Sequence, residues 1–318
     1  MAETLQSGTA RTPQLIRAAQ VARETEVRQS ANGVAFATYG ETGVDALDLD
    51  RMLETVPAAI VASLKSNTYY FVPLALRENP EATETPDSPE ADASLETGPN
   101  AKPHIPATEP AMVAGEYTDA FGDAAICHRN VELGSGNRGV FISTRLLGDR
   151  FALSFEFFIN VAHAFVDQAG VPASFADLVW KQALDNVRGE TSLDAWESRN
   201  LAFGRPANAE PEPVVLSSRR GLGLATKPRS FSNASSSAPA TKTVVDEKER
   251  GLYIDAAFSD SVALYLLSLA LDFDYSELRE REYPLLAPAA LAARLRLVAE
   301  LFPPNQGYEF AVRYRRRA

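Results

Sequence analysis

Residues 155–170 combine a broad apolar surface with one narrow polar stripe. The segment reads FEFFINVAHAFVDQAG and carries Glu156, Asn160, His163 and Asp167. At a helical spacing of about 100° per residue, these four positions fall within about 60° of arc. Phe, Ile, Val and Ala cover most of the remaining surface, so we expect a helix that is buried on most sides. Gly170 and the nearby Pro172 predict its end, and we expect the fold to be built around it.

The pattern before this helix predicts helices and short strands. The predicted elements are a helix from Pro13 to about residue 28, a strand at 33–39, a helix at 48–65, a strand at 68–76, and two short strands at 125–132 and 140–144. Thr12 suits the N-cap of the first helix. Pro57 is expected to divide the second helix, and Pro73 to lie at a sheet edge or a bulge, because proline lacks the backbone donor.

The pattern after residue 170 predicts more helix than strand. Two capping-box patterns, at 174–177 and 191–194, predict helices that end at Gly189 and Gly204. The predicted C-terminal elements are a strand at 251–256, a buried helix at 260–271, a polar helical turn at 276–282, an amphipathic helix at 288–302 and a closing strand at 308–314. Alternation of Tyr308, Phe310 and Val312 with mostly polar partners indicates that last strand.

Two segments differ from the rest in composition. Residues 77–116 hold seven prolines, nine acidic residues and two basic ones, with few large apolar side chains. Residues 217–242 hold five basic residues and no acidic one, among many Ser, Ala and Gly. Neither segment can bury enough apolar surface to offset its conformational entropy, so we expect an acidic disordered insertion and a basic flexible loop.

These elements predict an α+β protein. We expect a mixed sheet of short strands, packed by a run of three capped helices and by a C-terminal helical segment that ends in a strand. The predicted organisation is an N-terminal helix with strand–helix–strand at 1–76, the acidic insertion at 77–116, central strands and helices at 117–204, the basic loop at 205–247 and the C-terminal segment at 248–318. One interrupted domain is favoured, and a division at about 205–250 into two domains is the alternative.

The charge, cysteine content and apolar runs of the chain limit the kinds of partner and cellular location to be expected. The 318 residues carry a net charge of −11, which argues against general nucleic-acid affinity, although a local basic patch can still bind. The single cysteine, Cys127, excludes an intramolecular disulfide framework and fits a reducing compartment. The longest apolar run, at 262–271, is half the length of a membrane span of about 20 residues, and the N-terminus has no apolar signal region. A soluble cytoplasmic protein is expected.

The polar stripe is the first candidate site. His163 and Asp167 are four residues apart on one helix face, where a carboxylate can fix the tautomer of a histidine that acts as a base. Glu156, or His128 from elsewhere in the chain, would complete such a site. The chain has three histidines and no recognised metal-ligand spacing, so no metal site is predicted. The ordinary explanation of the stripe is a narrow solvent-facing surface.

Glycines at 134, 136 and 139 form a second candidate, the pattern G-x-G-x-x-G. A dinucleotide-binding loop must open a helix, whereas the residues that follow here have a strand pattern. We therefore expect a β-turn that glycine permits. The anion-binding candidates are the amides of Gly134, Gly136 and Gly139 together with Arg138.

The basic loop is the third candidate. Its partner-binding candidates are Arg219, Arg220, Lys227 and Arg229, which can contact an anionic partner; a solubilising loop is the ordinary explanation. The first functional hypothesis is a binding or assembly protein that uses its charged loops. The alternative is a hydrolase-like or metal-assisted enzyme centred on His163 and Asp167. The sequence indicates no particular cofactor, and it leaves the choice between enzyme and binding protein open.

Overall fold

Strands dominate the first half of the chain and helices the second. The computed structural model describes residues 15–76, 111–149, 151–209, 245–275 and 283–313. The strands are β1 (Leu15–Arg17), β2 (Arg28–Gln29), β3 (Ala35–Thr38), β4 (Asn67–Val72), β5 (Leu74–Leu76), β6 (Met112–Ala114), β7 (Ala125–Ile126), β8 (His128–Gly134) and β9 (Asn137–Ser143). The helices are α1 (Ala18–Glu24), α2 (Ala46–Glu54), α3 (Ala58–Val61), α4 (Ala152–Ala169), α5 (Ala173–Leu184), α6 (Leu193–Ala202), α7 (Glu247–Ala270) and α8 (Pro288–Leu301). Two sheets with packed helices confirm the α+β class.

The chain divides into two compact units. The sheet unit comprises residues 1–170, 262–273 and 298–318, and it contains both sheets. The helical unit comprises residues 171–261 and 274–297. Each unit is therefore built from segments that are distant in sequence.

The larger sheet has five strands in the order β2-β3-β4-β9-β8. Its three inner strands are parallel, whereas β2 and β8 pair antiparallel at the two edges. Parallel neighbours need a crossover, which α2 and α3 supply between β3 and β4. Pro57 separates these two helices, as predicted, because proline interrupts helical hydrogen bonding.

The smaller sheet is antiparallel, with the order β1-β6-β5-β7. The chain passes from the larger sheet to the smaller one at Pro73 and returns at Cys127. Ser143 forms hydrogen bonds at both points where the chain changes sheet. Its backbone N–H donates to the Cys127 carbonyl at 2.8 Å, and its Oγ accepts from the Ala75 amide and donates to the Ile126 carbonyl, both at 2.7 Å. The strand predicted across Pro73 is thus two strands in different sheets.

The two faces of β4 pack against different helices. Tyr69 and Phe71 face α4, where Phe157 meets the Tyr69 ring edge-on at 5.0 Å between centroids. Tyr70 faces the other way and stacks on Phe141 at 4.6 Å, in a cluster that includes α1. Helix α4 buries eight of its residues, which confirms the predicted central helix.

The N-terminal part differs from the prediction. The residues after Pro13 form β1 and then the short helix α1, and Thr12 and Pro13 themselves lie outside the described residues. Strand β1 pairs with β6, which lies inside the segment predicted as an acidic insertion. Both predictions are wrong for one reason: each three-residue strand is stabilised by the other, and neither is long enough to show a local pattern. Residues 77–110 lie outside the described part of the chain.

The two helices predicted from capping boxes are present, but neither cap is the predicted one. Helix α5 follows Pro172 without a side-chain cap, so Ser174 lies inside the helix, and the helix ends before Gly189. Proline suits the start of a helix because its nitrogen has no hydrogen to leave unpaired. Helix α6 is confirmed, but its cap is one residue later than predicted: the Ser192 Oγ accepts from the Ala195 amide at 3.2 Å, whereas Thr191 donates to Asp260.

Residues 251–256, predicted as a strand, belong to α7. Asp246 caps this helix, since its Oδ1 accepts from the Lys248 and Glu249 amides at 2.9 and 3.2 Å. Tyr253 and Ala257, four residues apart, are both fully buried, so the buried positions follow helical spacing. Six residues are too few to distinguish a short strand from part of a buried helix by their pattern.

The closing strand predicted at 308–314 does not form over the part that the structure describes, which ends at Arg313. Side chains hold this irregular segment instead. The Tyr308 Oη donates to the Arg51 carbonyl at 3.0 Å, and the Phe310 ring meets Tyr265 at 5.3 Å between centroids. Helix α8 before it is confirmed, and the whole of the predicted turn at 276–282 lies outside the described residues.

Helix α7 is long and apolar enough to cross a membrane, judged by length and composition alone. However, 67% of its most apolar window is buried inside the protein. The core helices of soluble proteins, which are mostly buried, pass the same test of length and composition.

Candidate functional site

The four stripe residues of α4 lie in different environments. Asn160 is buried and donates from Nδ2 to the Glu156 carbonyl at 2.8 Å and to the Glu156 Oε1 at 3.3 Å. The Glu156 side chain is 17% exposed, whereas the Asp167 side chain is 60% exposed and His163 is also exposed. The stripe therefore runs from a half-buried beginning to a solvent-facing end.

Glu156 contacts a histidine, but from β8 rather than from its own helix. The His128 Nδ1 is hydrogen-bonded to the Glu156 Oε1. His128 lies opposite Ile142 in the β8–β9 pair, on the face of the sheet that α4 covers. A carboxylate that also accepts from Asn160 can hold one tautomer of this imidazole. Of the residues suggested for a base site, the structure thus brings together Glu156 and His128.

Asp167 meets the second candidate set instead. Arg138 on β9 donates from Nη1 to the Asp167 Oδ2 at 3.5 Å and from Nε to the Glu132 Oε1 at 3.2 Å. Two carboxylates offset the positive charge of this guanidinium. It therefore attracts a bound anion less strongly than a free arginine would. Residues from the predicted base site and the predicted anion site are therefore neighbours on one sheet face.

The glycine-rich segment is a β-hairpin turn between β8 and β9. Gly134 pairs with Asn137, and the two residues between them, Ser135 and Gly136, have φ values of 54° and 77°. Two consecutive positive φ angles are typical of the tight turns that match the twist of paired strands. The expected β-turn is present. Arg219, Arg220, Lys227 and Arg229, the partner-binding candidates, lie outside the described residues.

A cavity of about 490 Å³ lies in the sheet unit, where β3 and β4 begin. Residues of β2, β3, β4 and α3 line it, among them the buried Val34, Leu64, Asn67 and Tyr69. Lys65 also lines the cavity and is exposed. This volume suits a small organic molecule.

Two buried polar groups at this cavity lack partners among the described residues: the Tyr69 Oη and the Asn67 Nδ2. Tyr69 is fully buried and Asn67 is 4% exposed. Burial raises the pKa of the Tyr69 hydroxyl, and the nearby Arg138 offsets that rise only in part, so Tyr69 stays a neutral hydrogen-bond donor. An unpaired buried donor costs about 1–3 kcal/mol, which a bound ligand with acceptor atoms would recover.

The turn between α2 and α3, beside the cavity, is held from two sides. Asn32, which lines the cavity, donates from Nδ2 to the Leu53 and Val56 carbonyls at 2.9 and 2.7 Å. Asn305 donates from Nδ2 to the Val56 and Glu54 carbonyls, both at 2.8 Å. These bonds fix the entry to α3, which forms one wall of the cavity. The cavity is therefore preformed rather than left between loose segments.

The helical unit holds a buried charge cluster. The Glu190 Oε1 accepts from the Arg199 Nη1 at 3.0 Å and from the Tyr253 Oη at 2.7 Å. The Glu190 Oε2 accepts from the Arg294 Nη1 at 3.0 Å, and the Arg294 Nε donates to the Gln182 Oε1 at 2.7 Å. These groups satisfy one another, which is typical of a structural role.

Asp260 is a second buried acid in the helical unit. Its Oδ2 accepts from the Thr191 Oγ1 at 2.8 Å. Burial raises its pKa to about 6, and hydrogen bonds from Ser192 and Thr191 oppose the rise. Among the described residues, no group of three His, Cys, Asp or Glu side chains is placed to share a metal ion.

Asn67 and Tyr69 were not among the residues that the sequence suggested. Both lay within or beside a segment interpreted only as a strand, where tyrosine is an ordinary residue. A usable signal was present within β4, since Asn67 and Tyr69 are two residues apart and so share one face of the strand.

No protein-family model matches this chain, and no curated protein or solved structure matches it either.

Proposed function

We propose that this protein binds a small organic ligand in the cavity that Asn67 and Tyr69 line. The observation that carries the proposal is the pair of buried groups without partners in the described chain, the Tyr69 Oη and the Asn67 Nδ2. Both atoms are closed to solvent in the ligand-free chain, so binding would move the side chains around them and let each donate to acceptor oxygens of the ligand. The apolar side chains of Val34, Val61 and Leu64 offer contact to the rest of the molecule.

This proposal keeps the first hypothesis from the sequence, a binding protein, but rests on a different site. The charged segments 77–110 and 217–242 remain proposed binding segments for a partner, and the cavity neither requires nor replaces them. The single cysteine fits a reducing compartment, so we propose that the protein acts in the cytoplasm.

Binding of benzamide and benzoate, measured by protein-observed NMR titration, tests the proposal. Each probe combines a ring with acceptor oxygens. We expect at least one of them to shift the amide resonances around Asn67 and Tyr69. Tyr69→Phe removes only the hydroxyl and should weaken binding by roughly tenfold, as the loss of one well-placed hydrogen bond does.

Tyr70→Phe is the matched control, because Tyr70 is the next residue in the same strand and points to the opposite face. It should leave binding unchanged. If Tyr69→Phe and Tyr70→Phe bind the probes as well as the original chain does, the Tyr69 hydroxyl is not part of a binding site and the proposal is wrong.

A second candidate is acid–base chemistry at His128, which the contact between the His128 Nδ1 and the Glu156 Oε1 favours. In this form of the enzyme hypothesis, His128 rather than His163 is the general base, and Glu156 orients its imidazole. Hydrolysis of p-nitrophenyl acetate gives a direct comparison. His128→Gln should abolish any rate above that of buffer, whereas His163→Gln should not. Equal loss in both variants, or no rate above that of buffer, would exclude His128 as the base for ester hydrolysis.

A further inference from the structure

Strand β8 is the longest edge strand in the part of the chain that the structure describes. It has seven residues, whereas the other edge strands, β1, β2 and β7, have two or three. It pairs with β9 on one side, and no described strand pairs with its other side. Its sequence, HRNVELG, has neither the proline nor the lysine that commonly block pairing at an exposed edge. Within the described structure, the free side of β8 is therefore open to a further strand.

Hydrogen bonding shows which residues of β8 point to the free side. The Ser143 amide donates to the Cys127 carbonyl at 2.8 Å, so Cys127 and every second residue after it bond to β9. The Arg138 amide of β9 fits this alternation, because it donates toward β4, to the Ser66 carbonyl, at 2.8 Å. The residues between point their backbone N–H and C=O groups away from β9: His128, Asn130 and Glu132.

This free edge is self-complementary in one antiparallel register. A bulge between Glu132 and Gly134 ends its regular part, so residues 128–132 are available and Asn130 is their centre. When Asn130 pairs with Asn130 of a second copy, the outward backbone groups of both strands meet as hydrogen-bonded pairs. His128 then lies opposite Glu132 of the second copy, and the twofold axis repeats that pair on its other side.

The side chains suit this register. Asn130 is exposed, and the Glu132 side chain is 71% exposed. The His128 side chain is 36% exposed and uses Nδ1 on Glu156, so the protonated imidazole has its Nε2–H left for a second carboxylate. Opposite charges that face each other across paired strands stabilise the pair, and like charges destabilise it. Because a register centred on Glu132 would oppose two carboxylates, the charges favour the register centred on Asn130.

We infer that two copies of this chain associate through β8, which pairs antiparallel with itself about a twofold axis at Asn130. The larger sheets of the two copies then form one continuous sheet. The inference concerns assembly, and it does not rest on ligand binding in the cavity. Since only residues 128–132 of each copy pair, the interface is small, and we expect a weak dimer with a dissociation constant of about 1–100 µM.

Sedimentation velocity of the full chain between about 1 and 300 µM measures this association. Asn130→Pro removes an N–H that does not bond to β9, and it should weaken the dimer at least about tenfold. Asn130→Thr keeps the N–H and should change the affinity by less than about threefold. Circular dichroism checks that both variants keep the sheet. A chain that stays monomeric up to about 300 µM, or a folded Asn130→Pro variant that dimerises as well as the original chain, would overturn the inference.

Glu132→Gln tests the charge pairs without a change in the backbone. At about pH 6, where an ordinary histidine is mostly protonated, it should weaken the dimer by roughly threefold to tenfold. Asp167→Asn is the matched control, because Asp167 contacts the same Arg138 and is also exposed, but belongs to α4 rather than to the β8 edge. It should leave the affinity unchanged. Equal effects of the two variants would contradict the proposed register.

Oxidative cross-linking tests the position of the twofold axis. Asn130→Cys would place the two new cysteines opposite each other, with Cα atoms about 5.5 Å apart, which suits a disulfide. Glu132→Cys is the control in the same strand, because its two copies would lie more than about 10 Å apart. We expect a cross-linked dimer from Asn130→Cys, and little from Glu132→Cys or from the original chain with Cys127 alone. Equal yields from the two variants would show that β8 does not pair about Asn130.

Discussion

Replacement of Tyr69 by phenylalanine should make the ligand-free protein more stable. The substitution removes the Oη, which has no partner among the described residues, and keeps the ring that meets Phe157 edge-on at 5.0 Å. A buried hydroxyl without a hydrogen bond costs about 1–3 kcal/mol, so its removal should raise the free energy of unfolding by about that amount. By contrast, most substitutions in a protein core lower the free energy of unfolding.

Tyr265→Phe provides the matched comparison. Tyr265 is also fully buried in the sheet unit, but its hydroxyl donates to the Phe302 carbonyl at 2.8 Å. Removal of that hydroxyl leaves a carbonyl without its donor and should lower the free energy of unfolding by about 0.5–1.5 kcal/mol. The two substitutions are chemically identical, and only the hydrogen-bonding state of the hydroxyl differs.

Urea unfolding, followed by circular dichroism and by fluorescence, measures both effects. For a unit of this size a change of 1 kcal/mol corresponds to roughly 2–4 °C in Tm, so thermal unfolding gives an independent estimate. If Tyr69→Phe lowers stability as much as Tyr265→Phe does, the Tyr69 hydroxyl has a partner in the folded protein. The same result would remove the main support for a ligand site at Tyr69.

Three further predictions concern charge and the α2–α3 turn. Arg294→Met should lower the free energy of unfolding by about 3–5 kcal/mol in urea, because Glu190 would lose one of its buried cations. Asp260 binds its proton more tightly in the folded state, with a pKa of about 6 against 3.8, so stability should fall as pH rises from about 4 to 6. The free energy of unfolding should fall by up to about 3 kcal/mol over this pH range. Unfolding curves recorded across the range measure this dependence, and Asp260→Asn should abolish it. Asn305→Ala should cost about 1–3 kcal/mol and speed hydrogen exchange of the Ala58 amide, which donates to the Asn305 Oδ1 at 3.1 Å.

Local patterns in the sequence were sufficient for α4 and for the hairpin turn, but not for α7, part of which was predicted as a strand. The sixteen residues at 155–170 carry enough helical periodicity to predict α4, and the glycines around Ser135 are enough to predict a hairpin turn. Strands β1 and β6 were missed because each gains its stability from a partner about a hundred residues away. No local signal distinguishes such a strand from a helix start or an acidic loop.

The contacts of the site depend on register, which the sequence does not show directly. The stripe on α4 was predicted correctly as a set of positions, but its partners come from β8 and β9. Sheet pairing decides that Glu156 meets His128 and that Asp167 meets Arg138. The composition of a strand also cannot reveal which tyrosine hydroxyl finds a hydrogen bond, so Tyr69 was indistinguishable from Tyr70.

Arg138 contacts the stripe and lies beside residues that line the cavity, although it belongs to neither set. In the register of the larger sheet, Arg138 lies opposite Asn67 on one side and Glu132 on the other. Its positive charge acts on the Tyr69 hydroxyl, and Asp167 holds its guanidinium at the end of α4. The polar end of the central helix thus contacts the cation whose charge lowers the Tyr69 pKa, although Asp167 and Arg138 are both partly exposed and neither lines the cavity.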